Sequence, residues 1–123
     1  MTRLQLARWG DTTRLVQDKQ AEINQFQAVI DDIECIDESA RHRIEQYGLA
    51  IECLQSGIDQ AIRFKVAVDE LIAELPPLAQ AILTLRYIHG CSWEQVATRI
   101  NYSLSQTKQI EHDALIKLSE RCI

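Results

Sequence analysis

Glycine and proline are scarce, with four glycines and two adjacent prolines in 123 residues. Both residue types interrupt helix interiors, so their scarcity leaves room for long uninterrupted helices. No apolar run reaches the roughly 18 residues that cross a bilayer, and the N-terminal MTRLQLARWG lacks the apolar core of a signal peptide. The expectation is a soluble, cytoplasmic chain. The four cysteines, Cys35, Cys53, Cys91 and Cys122, are scattered without a C-x-x-C pair, which reads as reduced, mostly buried thiols. Cys91 and His89 fit no recurring zinc-ligand spacing. There is no G-x-x-x-x-G-K loop, no H-E-x-x-H and no glycine-rich fingerprint. No catalytic residues, no metal and no cofactor are therefore expected. Asp31, Asp32 and Glu34 read as a solvated helix end, and His42 and Cys53 have no evident partners.

The abundant residues are Leu, Ile, Ala, Glu and Gln, a composition that favours an all-α fold. The net charge of −5 is unevenly spread: residues 1–75 hold eight basic and fourteen acidic side chains, residues 76–123 five and four. The C-terminal part is thus neutral to weakly basic, a faint form of the basic patch that marks nucleic-acid binders.

Leu4, Leu6, Ala7 and Trp9 form a short apolar opening that Gly10 is expected to stop. A first helix is predicted over 12–36, with Val16, Ile23, Phe26, Ile30 and Ile33 on one face and Lys19 at its polar position. Acidic residues crowd its end, where the helix dipole disfavours them. A break is therefore placed near Ile36–Ser39, with a single long helix as the alternative. The second helix carries a heptad seam of Ile44, Tyr47, Ile51, Leu54, Ile58, Ala61, Val68, Ile72 and Leu75, with Lys65 at the skipped position. Gly48 and Gly57 lie off it, and Pro76–Pro77 end the helix. The two seams fit a coiled-coil-like antiparallel hairpin pairing Ile33 with Ile44, Phe26 with Ile51, Ile23 with Leu54, and Leu4–Trp9 with Val68–Ile72. Leu49, Ala50, Ile62, Val66 and Ala67 form a further apolar set that needs covering, by the C-terminal domain or by a second copy. Residues 1–75 are accordingly read as a dimerising or partner-binding hairpin, and a homodimer is expected.

Residues 76–123 read differently. A helix is expected from Leu78 to Ile88, with Leu78, Ile82, Leu85 and Ile88 cradling the core of the next two helices, and His89-Gly90 as its stop. Ser92 and Gln95 make a capping box before Trp93, Val96, Ala97 and Ile100. Asn101 and Tyr102 interrupt the pattern, and Asn tolerates the left-handed backbone of a turn. Ser103 and Gln106 make a second capping box, and Thr107, Ile110, Ala114, Leu115 and Leu118 then lie on one face. Short helix, tight turn and long helix are the grammar of the helix-turn-helix, whose second helix lies in the DNA major groove. The outward face of helix 103–121 then carries Leu104, Ser105, Lys108, Gln109 and His112. Lys reads guanine, and Gln reads adenine through paired hydrogen bonds. Thr98, Arg99 and Tyr102 are placed for phosphates. The expected DNA-binding set is Arg99, Tyr102, Ser103, Ser105, Gln106, Lys108, Gln109 and His112.

Residues 75–118, from LPPLAQAILTLRYIHGCSWEQVA through NYSLSQTKQIEHDALIKL, resemble region four of bacterial sigma factors. Small phage transcription regulators of the RinA and ArpU type look closer still, in length, in LRYIHGCSW, in YS before the last helix and in a helical N-terminal half. The resemblance implies a sequence-specific, double-stranded-DNA-binding transcription regulator of phage or prophage type in a bacterial host cell. Carried over by position, bases and phosphates are read at Leu104, Ser105, Lys108 and Gln109. The chain departs from the sigma pattern at Leu104, commonly arginine there, and at Ser105, commonly glutamate. The alternative is an assembly or interaction protein: a small terminase-like DNA-recognition subunit, or a sigma-like factor that binds RNA polymerase.

Overall fold

A computed structural model of the chain describes residues 1–34 and 37–121. Cys35 and Cys122, read as reduced thiols, lie outside the described residues, as does Ile36. The elements are helices α1 (Arg3–Asp32), α2 (Glu38–Ala73), α3 (Pro77–Leu83), α4 (Trp93–Ile100) and α5 (Leu104–Arg121), with a π-helical turn at Thr84–Ile88 directly after α3. No strand occurs among the described residues, so the fold is all-α. Packing divides the chain into two units, Thr13–Arg63 and Met1–Thr12 with Phe64–Ile123. Both long helices contribute to both units.

Within 13–63, α1 and α2 face each other through the predicted seams. Ile23, Ile58 and Ala61 are buried, and Ile44, Tyr47, Ile51 and Leu54 are half-buried. The Phe26 ring stands 5.7 Å from that of Tyr47. Lys19 lies over Gly57, its Nζ 3.2 Å from where a Cβ would stand. The missing side chain of Gly57 leaves the room this lysine takes. The first helix ends at Asp32, short of the expected Ile36. The acidic run does serve the second helix: Asp37 Oδ1 accepts a hydrogen bond from Ala40 N at 2.8 Å, capping orphan backbone at the start of α2. The further apolar set does not form one stripe. Leu49 is exposed on a side of α2 away from the exposed Ile62 and Val66.

The second unit begins with the first turns of α1. Gly10 does not stop this helix, which runs through it. A Cβ there would stand 1.8 Å from the Tyr87 carbonyl oxygen, so the glycine is the place where α1 meets the backbone of the π-helical turn. The local rule that glycine weakens helices is overridden by this contact. Leu6 and Trp9 join Val68, Ile72 and Leu75 of α2, Ala79 and Leu83 of α3, and Ala114, Leu115 and Leu118 of α5 in one buried cluster. Leu4, expected to pack with them, is exposed, because the inward face of α1 passes through Leu6 and Trp9. Trp9 Nε1 donates to Asp69 Oδ1 at 2.8 Å, and Asp69 Oδ2 accepts from Lys65 at 2.8 Å. The Arg8 guanidinium sits 4.4 Å over the Phe64 ring, a cation–π contact. At the end of α2, the Gln80 amide donates to the Leu75 carbonyl at 2.7 Å. Pro76 is then the N-cap of α3 and Pro77 falls in its first turn, where its missing N–H costs nothing.

The two helical glycines give opposite expectations. Gly48 has nothing within 4 Å of an added Cβ, so Gly48→Ala stabilises by about 0.5–1 kcal/mol through helix preference alone. Gly10→Ala forces α1 away from Tyr87 and destabilises by about 1–3 kcal/mol. Thermal and urea melts of the two variants beside wild type check both signs.

Candidate nucleic-acid interface

The helix-turn-helix rests on a second buried cluster: Ile82, Cys91 and Val96, with Leu78, Leu85, Trp93, Ile100 and Ile110 packed against them. Ile88, expected to join Leu78, Ile82 and Leu85, is exposed. In the π-helical turn, the His89 N–H reaches Thr84 O at 3.1 Å, and the Cys91 N–H reaches Leu85 O at 3.0 Å. The extra residue in this turn breaks the 3.6-residue phase and carries Ile88 outward. Gly90, at φ +69°, supplies the left-handed stop. Arg86 donates to the Cys91 carbonyl at 3.0 Å, and its guanidinium lies 4.9 Å over Trp93. The half-buried Trp93 is thus a packing residue with one face covered by a cation.

Both capping boxes are formed. Ser92 Oγ accepts from Gln95 N at 3.2 Å, and Gln95 Oε1 accepts from Ser92 N at 2.9 Å. Ser103 and Gln106 repeat the exchange at 3.1 Å in each direction. Asn101 sits at φ 62°, ψ 43°, and the Tyr102 N–H returns to the Ala97 carbonyl at 3.1 Å, closing the turn between α4 and α5. Ala97 is buried where a small residue lets the helices approach. On α5, Thr107, Ala114, Leu115 and Leu118 face inward, and Thr107 Oγ1 donates to Ser103 O at 2.8 Å.

All eight residues of the expected DNA-binding set are exposed. Arg99 lies in the last turn of α4 and Tyr102 in the connecting turn. Ser105, Gln109 and His112 share one face of α5, with Lys108 beside them. The set is not uniform in its freedom. Ser103 Oγ and Gln106 Oε1 are occupied by the cap. The Gln109 amide donates to Asp113 Oδ1 at 3.0 Å. His112 borders a groove shared with Thr2, Arg3 and Ile116, on the side of α5 facing the N-terminal segment. Among the described residues, no cap or side-chain partner engages Ser105 or Lys108.

Glu111 of α5 was not readable from spacing. It falls on the inward face and is 1% exposed, and Arg3 Nε reaches its two carboxylate oxygens at 3.0 and 3.5 Å. A charge on an otherwise apolar helical stripe is the one local signal; its partner, 108 residues earlier, leaves none. This pair also enters the charge balance. Residues 13–63 hold five basic and ten acidic side chains, so the whole net charge of −5 lies there. The rest of the chain holds eight of each, and one of its acids, Glu111, is buried against Arg3. Arg3 and Glu111 neutralise each other, so the remaining charges of the second unit still balance, seven of each sign.

Tyr87 is held above its ordinary value, chiefly by burial and then by the Glu111 carboxylate. A raised tyrosine pKa contributes stability fully present below the unfolded value of about 10 and lost as pH rises through the folded value. Wild-type melting temperature should therefore fall above about pH 10, and Tyr87→Phe should fall less over the same window, as followed by circular dichroism.

The family model for Sigma-70, region 4, matches residues 71–120, from the end of α2 through nearly all of α5. No curated protein and no solved structure matches the chain. The matched family is one of DNA-binding rather than enzymatic domains, and the match takes in the capped short helix, the left-handed turn and the capped long helix up to its penultimate residue. Residues 71–120 form a DNA-binding helix-turn-helix similar to region 4 of sigma-70.

Proposed function

We propose that this chain is a sequence-specific transcription regulator of phage or prophage type, acting in the cytoplasm of a bacterial host. Its α5 reads the major groove. The observation that carries this reading is the outward face of α5. Ser105, Lys108, Gln109 and His112 are exposed just beyond the Ser103–Gln106 capping box, on a helix whose other face is locked in two apolar clusters. Lys108 and Gln109 make the base or near-base contacts, and Arg99 and Tyr102 hold phosphates. The wording LRYIHGCSW and the YS before α5 support the likeness to regulators of the RinA and ArpU type. Residues 1–75 act as the dimerising or partner-binding part and residues 76–123 as the DNA-binding part. The seam of Ile44, Tyr47, Ile51, Leu54, Ile58 and Ile72 organises the former.

A second reading, binding to RNA polymerase or to an assembly partner, draws on the acidity of 13–63 and on the Gln109–Asp113 bond. That bond must open before Gln109 pairs with a base.

Titration of fluorescent DNA carrying a site enriched from a random pool tests the DNA reading. Gln109→Ala should relax base preference and cost about 1–3 kcal/mol at the enriched site. Lys108→Ala should also flatten the salt dependence if it meets phosphate, and Arg99→Ala should weaken all sequences alike. Wild-type behaviour of both α5 variants, or a pool that enriches nothing, sinks the groove-reading role and favours the protein-partner reading.

Light scattering tests assembly. A homodimer has twice the 14.1 kDa of one chain, and Ile51→Asp should dissociate it or unfold the hairpin by placing a charge in the seam. A monomer mass at tens of micromolar in wild type removes the dimer.

A further inference from the structure

We propose that Arg3 is a positioning residue for DNA recognition, acting through Glu111 to set the rotation of α5. This inference rests on the reading of α5 as the DNA-reading helix. Glu111 is 1% exposed and Arg3 61% exposed, with 3.0 Å between Nε and Oε1. The carboxylate is buried on the core side of α5, and its counter-charge comes from the first turn of α1. Around it the contacts of α5 are apolar: Ala114, Leu115 and Leu118 in one cluster and Ile110 against both. Apolar burial is non-directional, so these contacts fix which side of α5 faces inward but tolerate small turns about its axis. The ion pair is directional and penalises any turn that separates its partners. Its neighbours on the same rigid helix are Lys108, three residues back, and Gln109 and His112. Any rotation of α5 moves Glu111 and these three side chains through one angle. The groove beside His112 is lined on its other side by Met1, Thr2 and Arg3, so the clamp stands next to the face it orients.

The pair has an asymmetric energetic character that makes the role testable. Removing Arg3 leaves a buried carboxylate unpaired, which is strongly unfavourable. The helix relieves it by turning Glu111 toward water. Removing Glu111 instead leaves Arg3 exposed and hydrated, which costs little. Replacing the carboxylate by an apolar group of similar size removes the need for the clamp altogether. Arg3→Ala should thus disturb α5, whereas Glu111→Leu and the double variant should not. A direct phosphate contact by Arg3 gives the opposite pattern, since Glu111→Leu would not rescue it.

The experiment uses the full chain with Arg3→Ala, Arg3→Lys, Glu111→Leu and Arg3→Ala/Glu111→Leu. It has two readouts: backbone amide shifts of Lys108, Gln109 and His112 without DNA, and the ratio of affinities for an enriched site and for random DNA. Expected are displaced amides and a ratio lowered about tenfold in Arg3→Ala, with Arg3→Lys intermediate. Glu111→Leu and the double variant should lie within about threefold of wild type. Unmoved amides in Arg3→Ala, or a double variant as impaired as Arg3→Ala, overturn the proposal. So does an equal loss on both DNAs with a salt slope reduced by about 1, which marks a phosphate contact. If wild type enriches no sequence, the DNA reading fails, while the amide shifts still decide whether the pair sets the helix.

Discussion

The structure depends on one demand made of α5: an 18-residue helix must bury one face completely while leaving the opposite face bare. A helix satisfies its own backbone only between its ends, so a bare helix needs its orphan N–H groups closed by side chains. The Ser103–Gln106 exchange does this at the end expected to approach DNA. The buried face needs more than the short helices around it supply. Ile110 touches both apolar clusters, and the larger cluster is completed by Leu6 and Trp9 from the start of α1 and by Val68 and Ile72 from α2. The long helices therefore do more than form a hairpin; their ends are part of the floor under α5.

The features legible in the sequence were local. Ser92, Gln95, Asn101, Ser103 and Gln106 act within four residues of themselves, and their types alone specify caps and a left-handed turn. The inward sets of α4 and α5 came from a 3.6-residue period, and the seam of α2 from a sustained heptad. The all-α class and the helix-turn-helix were both readable on this basis. Contact between distant segments was not legible, nor were departures from regular phase. Gly10 has the signature of a helix stop, and only the carbonyl of Tyr87 beside it reveals a close approach. Ile88 has the spacing of a core residue, and the π-helical turn removes it from the core. Glu111 gives no local sign of its pairing, because its partner lies in the first turn of α1.

Charge is divided as sharply as packing. All of the net negative charge lies in 13–63, while the unit carrying α5 is neutral by count and has one acid sequestered. In the DNA-binding reading, repulsion between an acidic hairpin and the DNA backbone keeps nonspecific affinity low. Base contacts then have to contribute a larger share of binding than in a strongly cationic protein. In the same reading, the Gln109–Asp113 bond adds a cost that only a matching base edge offsets, so selectivity would come from withholding attraction as much as from supplying it.

The unit formed by Met1–Thr12 with Phe64–Ile123 is discontinuous, and the order of synthesis makes this matter. Leu6 and Trp9 leave the ribosome well before the side chains that cover them, Ala114, Leu115 and Leu118, which lie about a hundred residues later in the chain. The hairpin segments of 13–63 lie closer in sequence and are free to pair first. Until α5 emerges, a tryptophan and a leucine remain without their final cover, and the ends of α1 and α2 wait as a half-built surface. During synthesis, closing this long loop has to wait for α5. During that interval the net negative charge of 13–63 gives neighbouring chains a mutual repulsion that does not wait for a finished core.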